Sequence, residues 1–192
     1  MLQVREDDAS AFEELMLRYQ GRVLSVLHHV VGNRDLAEDL TQDVFLRVFR
    51  ARKSYTPGSK FSTWLFTITN NVALNALRRR KRKPEHQFAL VDESSTCMPT
   101  IEHAVPENSA LLPTRQLDHQ ELRETVRMAV DSLSENQRMA VLLNKFEGMN
   151  YAEIAQVMKL SPQAIKSLLC RARSNLRVIL EPYIERGKNN NI

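Results

Sequence analysis

The stretch LSENQRMAVLLNKFEGMNYAEIAQVMKLSPQAIKSLLCRAR, Leu133 to Arg173, punctuates itself into helices. Ser134 with Gln137 has the spacing of a capping box, in which a hydroxyl and an amide each satisfy an orphan backbone N–H; Gly148 closes the helix this box opens. Asn150 with Glu153 offers a second box. After a short turn beyond Lys159, Ser161 and Pro162 open a further helix, because proline at a first helical position gives up a donor that lacks an intrahelical partner anyway.

In the helix after Asn150 the apolar residues are Tyr151, Ile154, Ala155, Val157 and Met158. In the helix after Pro162, Ile165, Leu168, Ala172, Leu176 and Ile179 face inward. That leaves Gln163, Lys166, Ser167, Cys170, Arg171, Ser174 and Arg177 outside, with Arg173 near the edge. Two helices joined by a tight turn, the second with a cationic outer face, fit a helix-turn-helix, whose second helix enters the major groove with its N-terminal residues toward base edges. Gln163, Lys166, Ser167 and Arg171 are the candidate readers; the alternative is a plain helical hairpin. Cys170 reads as a small surface residue rather than a nucleophile, since no histidine accompanies it.

Upstream, Asp118 to Leu133 has the pattern of one more amphipathic helix. Before it the composition shifts. Residues 84–117 hold one Lys+Arg against five Asp+Glu and four of the seven prolines, whereas residues 1–83 hold 15 against 9 and residues 118–192 hold 11 against 9. A stretch of 34 residues without periodicity exceeds the ~12 to 15 of a loop inside a compact domain. The expected organisation is therefore a domain over 1–83, an acidic linker over 84–117 and a second domain over 118–192.

In the first domain, Phe12, Leu15, Met16, Tyr19, Val23, Leu27 and Val30 step by three and four, with Gly21 allowing a bend. Asn33 and Asp35 are caps for a helix reaching about Lys53. On its wheel Leu36, Leu40, Val44 and Val48 form one stripe that Phe45 and Phe49 widen into a buried arc. Asp39, Gln42, Asp43 and Arg50 lie opposite, and Leu46 falls among them, an aliphatic side chain ringed by polar groups. It is either an ordinary exposed leucine or the centre of a docking face.

The segment KFSTWLFTITNNVALNALRRRKRK continues with Phe61, Leu65, Ile68, Val72 and Ala76 inward and Ser59 as its cap. One flank carries Thr63, Thr67, Asn71 and Arg78, edged by Trp64 and Asn75, and runs into Arg78, Arg79, Arg80, Lys81, Arg82 and Lys83. Cations hold phosphates by charge, while stacking and amide hydrogen bonds read bases, so this helix is a candidate nucleic-acid contact.

With five glycines and apolar spacing of three and four throughout, the fold class is all-α, two small helical domains. No run approaches the roughly 18 apolar residues of a membrane span. The N-terminus MLQVREDDAS has no signal-peptide pattern, so a cytoplasmic location is expected. Cys97 and Cys170 suit a reducing compartment. His28, His29, His86, His103 and His119 show no zinc-ligand spacing, and no phosphate loop or nucleophile motif appears, so neither metal, cofactor, small-molecule substrate nor enzymatic activity is expected.

Three motifs together resemble the small two-domain, extracytoplasmic-function bacterial sigma factors. DLAEDLTQDVFLRVFR (Asp35 to Arg50) resembles their helix that docks on core RNA polymerase. FSTWLFTITNNVALNALRRRKR (Phe61 to Arg82) resembles their promoter-melting, minus-ten-reading helix. Leu133 to Arg173 is similar to their minus-thirty-five-reading domain. The resemblance implies core RNA polymerase, through its beta-prime clamp and beta flap, and promoter DNA as partners, with an anti-sigma protein as a further one. It implies polymerase contacts at Asp39, Gln42, Asp43, Leu46 and Arg50. Minus-ten contacts fall at Tyr55, Trp64, Thr67, Asn71, Asn75, Arg78, Arg79 and Arg80, where Asn71 reads a flipped base and Tyr55 shapes its pocket. Minus-thirty-five contacts fall at Gln163, Lys166, Ser167, Cys170, Arg171 and Arg173. Gln163-Ala164 and Leu168 depart from the family's usual residues around the start of the recognition helix. A stand-alone DNA-binding regulator is the rival reading; it would need the C-terminal domain but not a docking helix.

Overall fold

The computed structural model describes residues 1–58, 60–82, 122 and 124–189, with side chains described as far as residue 183. Every regular element among these residues is helical, as the spacing predicts. The expected linker 84–117, and Ser59 as a cap, lie outside the described residues.

The N-terminal unit begins with one turn, α1 (Leu2–Arg5), and a long helix, α2 (Ala9–Val31). Asp8 caps α2 by accepting from the Ser10 and Ala11 backbone N–H groups, and Gly32 ends it in the left-handed region at φ 73°, a conformation that glycine adopts without a Cβ penalty. The helix is continuous through Gly21; one glycine weakens a helix by about 1 kcal/mol but need not break one that tertiary packing supports. Helix α3 (Arg34–Arg50) starts on Asn33, whose side chain accepts from Leu36 N at 2.8 Å.

Helix α3 stops earlier than the sequence pattern suggests, because the chain turns into a 3-10 segment, Arg52–Ser54. Arg52 holds that turn: its guanidinium donates to Asp7 Oδ1 at 2.6 Å and to Phe49 O at 2.9 Å, and lies 4.0 Å from the Phe49 ring centroid. Phe49 is accordingly not part of the buried arc. It stays 39% exposed, with its ring tilted against Phe12 at 5.2 Å and under the Arg52 guanidinium. Helix α4 (Phe61–Arg82) completes the unit, burying Leu65, Phe66, Val72, Ala73 and Leu77.

In the C-terminal unit, α5 (residues 124–131) is the described part of the helix expected from Asp118. It is followed by α6 (Glu135–Lys145), α7 (Tyr151–Met158) and α8 (Pro162–Asn189). Both capping boxes form, on Ser134 with Gln137 and on Asn150 with Glu153. Lys159 takes the left-handed turn position between α7 and α8, and Ser161 Oγ accepts from Ala164 N to start α8. Inward from α8 come Ile165, Leu169 and Ala172, with Leu168 and Leu176 half-buried; Leu169, absent from the expected stripe, is nearly sealed and fills the gap between Ile165 and Ala172.

The units do not stand apart. Helix α4 packs on α7, α2 packs on α6, and the buried apolar residues of both units form one continuous cluster.

Candidate nucleic-acid interface

Helix α3 presents its polar face outward because Ala37, Thr41, Val44, Phe45 and Val48 are consumed by packing on α2 and α4. Leu46 lies on that outer face, 55% exposed. Asp39, Gln42 and Arg50 are exposed near it, and half-buried Asp43 accepts from Arg47 Nε at 3.0 Å. That contact holds the Arg47 pKa above its ordinary value.

Helix α4 has three faces. One packs into its own unit, one meets α7, and the third is open. On or beside the open face, Trp64, Thr67 and Asn71 are half-buried while Asn75, Arg78 and Arg79 are exposed. Thr67 Oγ1 donates to Thr63 O at 2.7 Å, so its hydroxyl proton is already committed within the helix. Tyr55 is buried at 6% exposure rather than offered to solvent, with its ring edge-on to Trp64 at 5.2 Å and to Phe61 at 6.1 Å. An edge-to-face cluster of this kind restricts the orientation of Trp64. Asn75 and Arg79 border a shallow crevice with Leu40, Asp43 and Arg47, so the open face of α4 adjoins the polar rim of α3.

The structure redistributes other residues of this flank. Thr63 was expected outside but is 3% exposed, because its side of α4 is the side that α7 covers; its Oγ1 has no hydrogen-bond partner among the described residues. Arg80 turns away from Arg78 and Arg79 to donate to Val31 O at 3.2 Å, and Lys81 pairs with Glu135 at 2.9 Å. Asn70, which the sequence analysis passed over beside Asn71, is buried and donates to Val157 O across the two units at 3.4 Å. The Asn70-Asn71 pair was the available signal, since successive helix positions point about 100° apart and cannot serve one face.

On α8, Gln163, Lys166, Ser167, Cys170, Arg171 and Arg173 are all exposed. Arg173 donates to the Tyr151 hydroxyl at 3.2 Å, which ties the middle of α8 to the start of α7. No group of three or more His, Cys, Asp or Glu suited to a metal occurs among the described residues.

Residues 15–83 match the family model for sigma-70 region 2, and residues 123–176 match that for sigma-70 region 4. The chain is 30% identical over 181 residues to the RNA polymerase sigma-H factor of Pseudomonas aeruginosa, covering 94% of this chain and 92% of that protein. It is 32% identical over 188 residues to the ECF RNA polymerase sigma-E factor of Escherichia coli K12, covering 95% and 93%. Among solved structures it resembles the sigma factor RpoE of Bartonella quintana, crystallised with the anti-sigma factor NepR, at 25% identity and TM-score 0.65 over 90% of this chain and 98% of that one. It shares the fold of CnrH, solved with the cytosolic domain of CnrY, at 20% identity and TM-score 0.64 over 94% of each.

Proposed function

The chain belongs to the sigma-70 family, among RNA polymerase sigma factors of the extracytoplasmic-function kind, and on that premise we propose how its surfaces direct promoter-specific initiation. Residues 1–83 serve as the polymerase-docking and minus-ten domain, 84–117 as the tether, and 118–192 as the minus-thirty-five domain. Leu46 inserts into an apolar site on the beta-prime clamp while Asp39, Gln42, Asp43 and Arg50 form the polar rim around it. Such an anchor with a hydrogen-bonding border is the usual energetic layout of an interface.

At the minus-ten element Asn71 reads an extruded base, Trp64 offers a stacking edge held by buried Tyr55, and Asn75, Arg78 and Arg79 follow the backbone. Capturing a flipped base offsets part of the unstacking cost of a few kcal/mol, so opening is driven by binding and requires no catalytic residue. Arg80 is a contributor only if its bond to Val31 O is released. At the minus-thirty-five element Gln163, Lys166, Ser167 and Arg171 face base edges, and Cys170 and Arg173 lie alongside; the beta flap receives this domain. The protein acts by binding rather than catalysis, in the cytoplasm, where an anti-sigma partner like that of the Bartonella relative controls it.

The observation that carries this reading is the order of two matched domains with an exposed docking leucine between a capped α3 start and the open face of α4. A lone DNA-binding regulator has no use for that helix. The test is to add the purified chain to sigma-free bacterial core polymerase and map the RNA starts on a genomic library. Initiation from sites sharing a two-part sequence supports the proposal; DNA binding without polymerase association refutes it.

A further inference from the structure

Asp7, between α1 and α2, is one of two non-glycine residues in the left-handed region among the described residues, at φ 67°. That conformation crowds a Cβ against the backbone, and aspartate is among the few side chains that tolerate it. The turn that carries it is tied down on both sides. Asp7 N donates to Val4 O at 3.1 Å, Asp8 N donates to Gln3 O at 3.3 Å, Val4 is sealed, and Asp8 caps α2. From this fixed turn the carboxylate reaches a distant part of the chain. Its Oδ1 accepts from the Arg52 guanidinium at 2.6 Å, 45 residues away, and its Oδ2 lies 3.6 Å from Lys53 Nζ. The hydrogen bond from Arg52 is the main cause that holds the Asp7 pKa below the ordinary carboxylate value.

Arg52 and Lys53 open the 3-10 turn that ends at Tyr55. The Arg52 side chain is 18% exposed, held by Asp7, by Phe49 O and by the Phe49 ring. Its own carbonyl accepts from Tyr55 N at 3.3 Å, so one residue carries both the anchor of the turn and the bond that sets Tyr55. Tyr55 in turn lies edge-on to Trp64 at 5.2 Å. A line of contacts therefore runs from Asp7 through Arg52 and Tyr55 to Trp64. An ion pair open to water on one side contributes little to global stability, but it is enough to select one position for a three-residue turn that packs on α1 and on the end of α3.

We propose that Asp7 is a positioning residue for the minus-ten surface: by gathering Arg52 and Lys53 it sets the 3-10 turn and, through it, the place of Tyr55 against Trp64. The inference rests on the roles given above to Tyr55, Trp64 and Asn71. It brings the N-terminal turn, to which neither the polymerase nor the DNA assignment gives a part, into promoter opening.

Trp64 is the single tryptophan of the chain, so its emission and its quenching by acrylamide report this contact in the full-length protein without DNA. Asp7→Gly suits the left-handed turn and removes the carboxylate; Asp7→Asn keeps the shape and removes the charge. Both variants, and Arg52→Gln, should leave Trp64 more readily quenched than in the wild type. Asp7→Asn combined with Arg52→Gln should do no more than Arg52→Gln alone, as two residues acting through one contact require. Arg52→Lys, which keeps a cation for Asp7, should recover part of the wild-type behaviour. With core polymerase, the Asp7 variants should open the promoter about two- to fivefold more slowly by permanganate reactivity, at unchanged polymerase affinity. Quenching of Trp64 identical to wild type in both Asp7 variants overturns the proposal, and so does an additive double variant. Faster opening, with tighter binding to duplexes of every sequence, overturns it as well, since Asp7 would then only neutralise two cations. If the quenching and the coupling come out as expected but the wild type does not initiate with core polymerase, the sigma reading falls and the placement of Trp64 by Asp7 stands.

Discussion

Leu46→Asp tests the docking surface most sharply, because its effects on folding and on binding are separable. Full burial of a leucine side chain contributes about 1.5–3 kcal/mol, and 55% of this one is still exposed, so docking that covers it gains about 1–1.5 kcal/mol. Aspartate forfeits that gain and adds roughly 1–3 kcal/mol for a desolvated carboxylate without a partner, placed near Asp39 and Asp43. Together these predict a loss of about 30- to 2000-fold in affinity for core polymerase. Leu46→Ala, which loses only part of the apolar term, should cost about two- to fivefold. Fold stability should change by less than about 0.5 kcal/mol, since Leu46 makes no core contact. Fluorescence anisotropy against core polymerase gives the affinities, and thermal unfolding checks the fold. Equal affinity for wild type, alanine and aspartate would refute the docking assignment, as would a drop in the unfolding temperature large enough to explain the binding loss.

Asn71→Ala should slow promoter opening, measured by permanganate reactivity, far more than it weakens polymerase binding; equal loss of both would remove its base-reading role. Arg171→Ala should lower affinity for upstream promoter duplex by about 1–3 kcal/mol with a sequence-dependent pattern, whereas a uniform loss on all sequences would make it a phosphate contact. Asn150→Ala breaks the second capping box and should cost about 1 kcal/mol in denaturant unfolding, from the loss of the bond to Glu153 N at 2.9 Å. The pKa of His28 is held below the ordinary imidazole value, first by burial and then by the charges of His29, Arg127 and Arg34, with Asp131 opposing them. A depressed value means that the folded form resists protonation, so this contribution is present above about pH 6.5 and is lost as pH falls through the lowered value. Glu147 shifts upward by burial and acts with the opposite sign above its ordinary carboxylate range. Comparing melting temperatures of wild type and His28→Gln at pH 7.5 and 5.5 isolates the histidine; the variant should lose less on acidification.

Helix starts were legible because they depend on chemistry within four residues. Asp8, though not singled out beforehand, Asn33, Ser134 and Asn150 each act on N–H groups two or three positions ahead, so their identities and spacing suffice. The exposed leucine on α3 and the outer face of α8 followed from one period applied to one helix. Periodicity failed where a helix has two buried sides: α4 reads as a single amphipathic stripe, and apart from the adjacent Asn70 and Asn71, which cannot share a face, nothing local reveals that Thr63 and Asn70 face a second partner. Phe49 failed for a different reason, since its apolar character says nothing about whether neighbours remain at the end of α3 to cover it.

From the sequence by itself came the all-helical class, the caps, the two basic ends with an acidic middle, and the family resemblance that the comparisons bear out. Tertiary structure alone decided which cations stay open to a partner and which are spent inside the molecule. Arg80 is bound to a carbonyl 49 residues away, Arg138 to one 109 away, and Arg22 to a carboxylate 125 away. The first depends on how two helices of one unit pack and the other two on how the units meet, and neither surface has a repeat for a single helix to display.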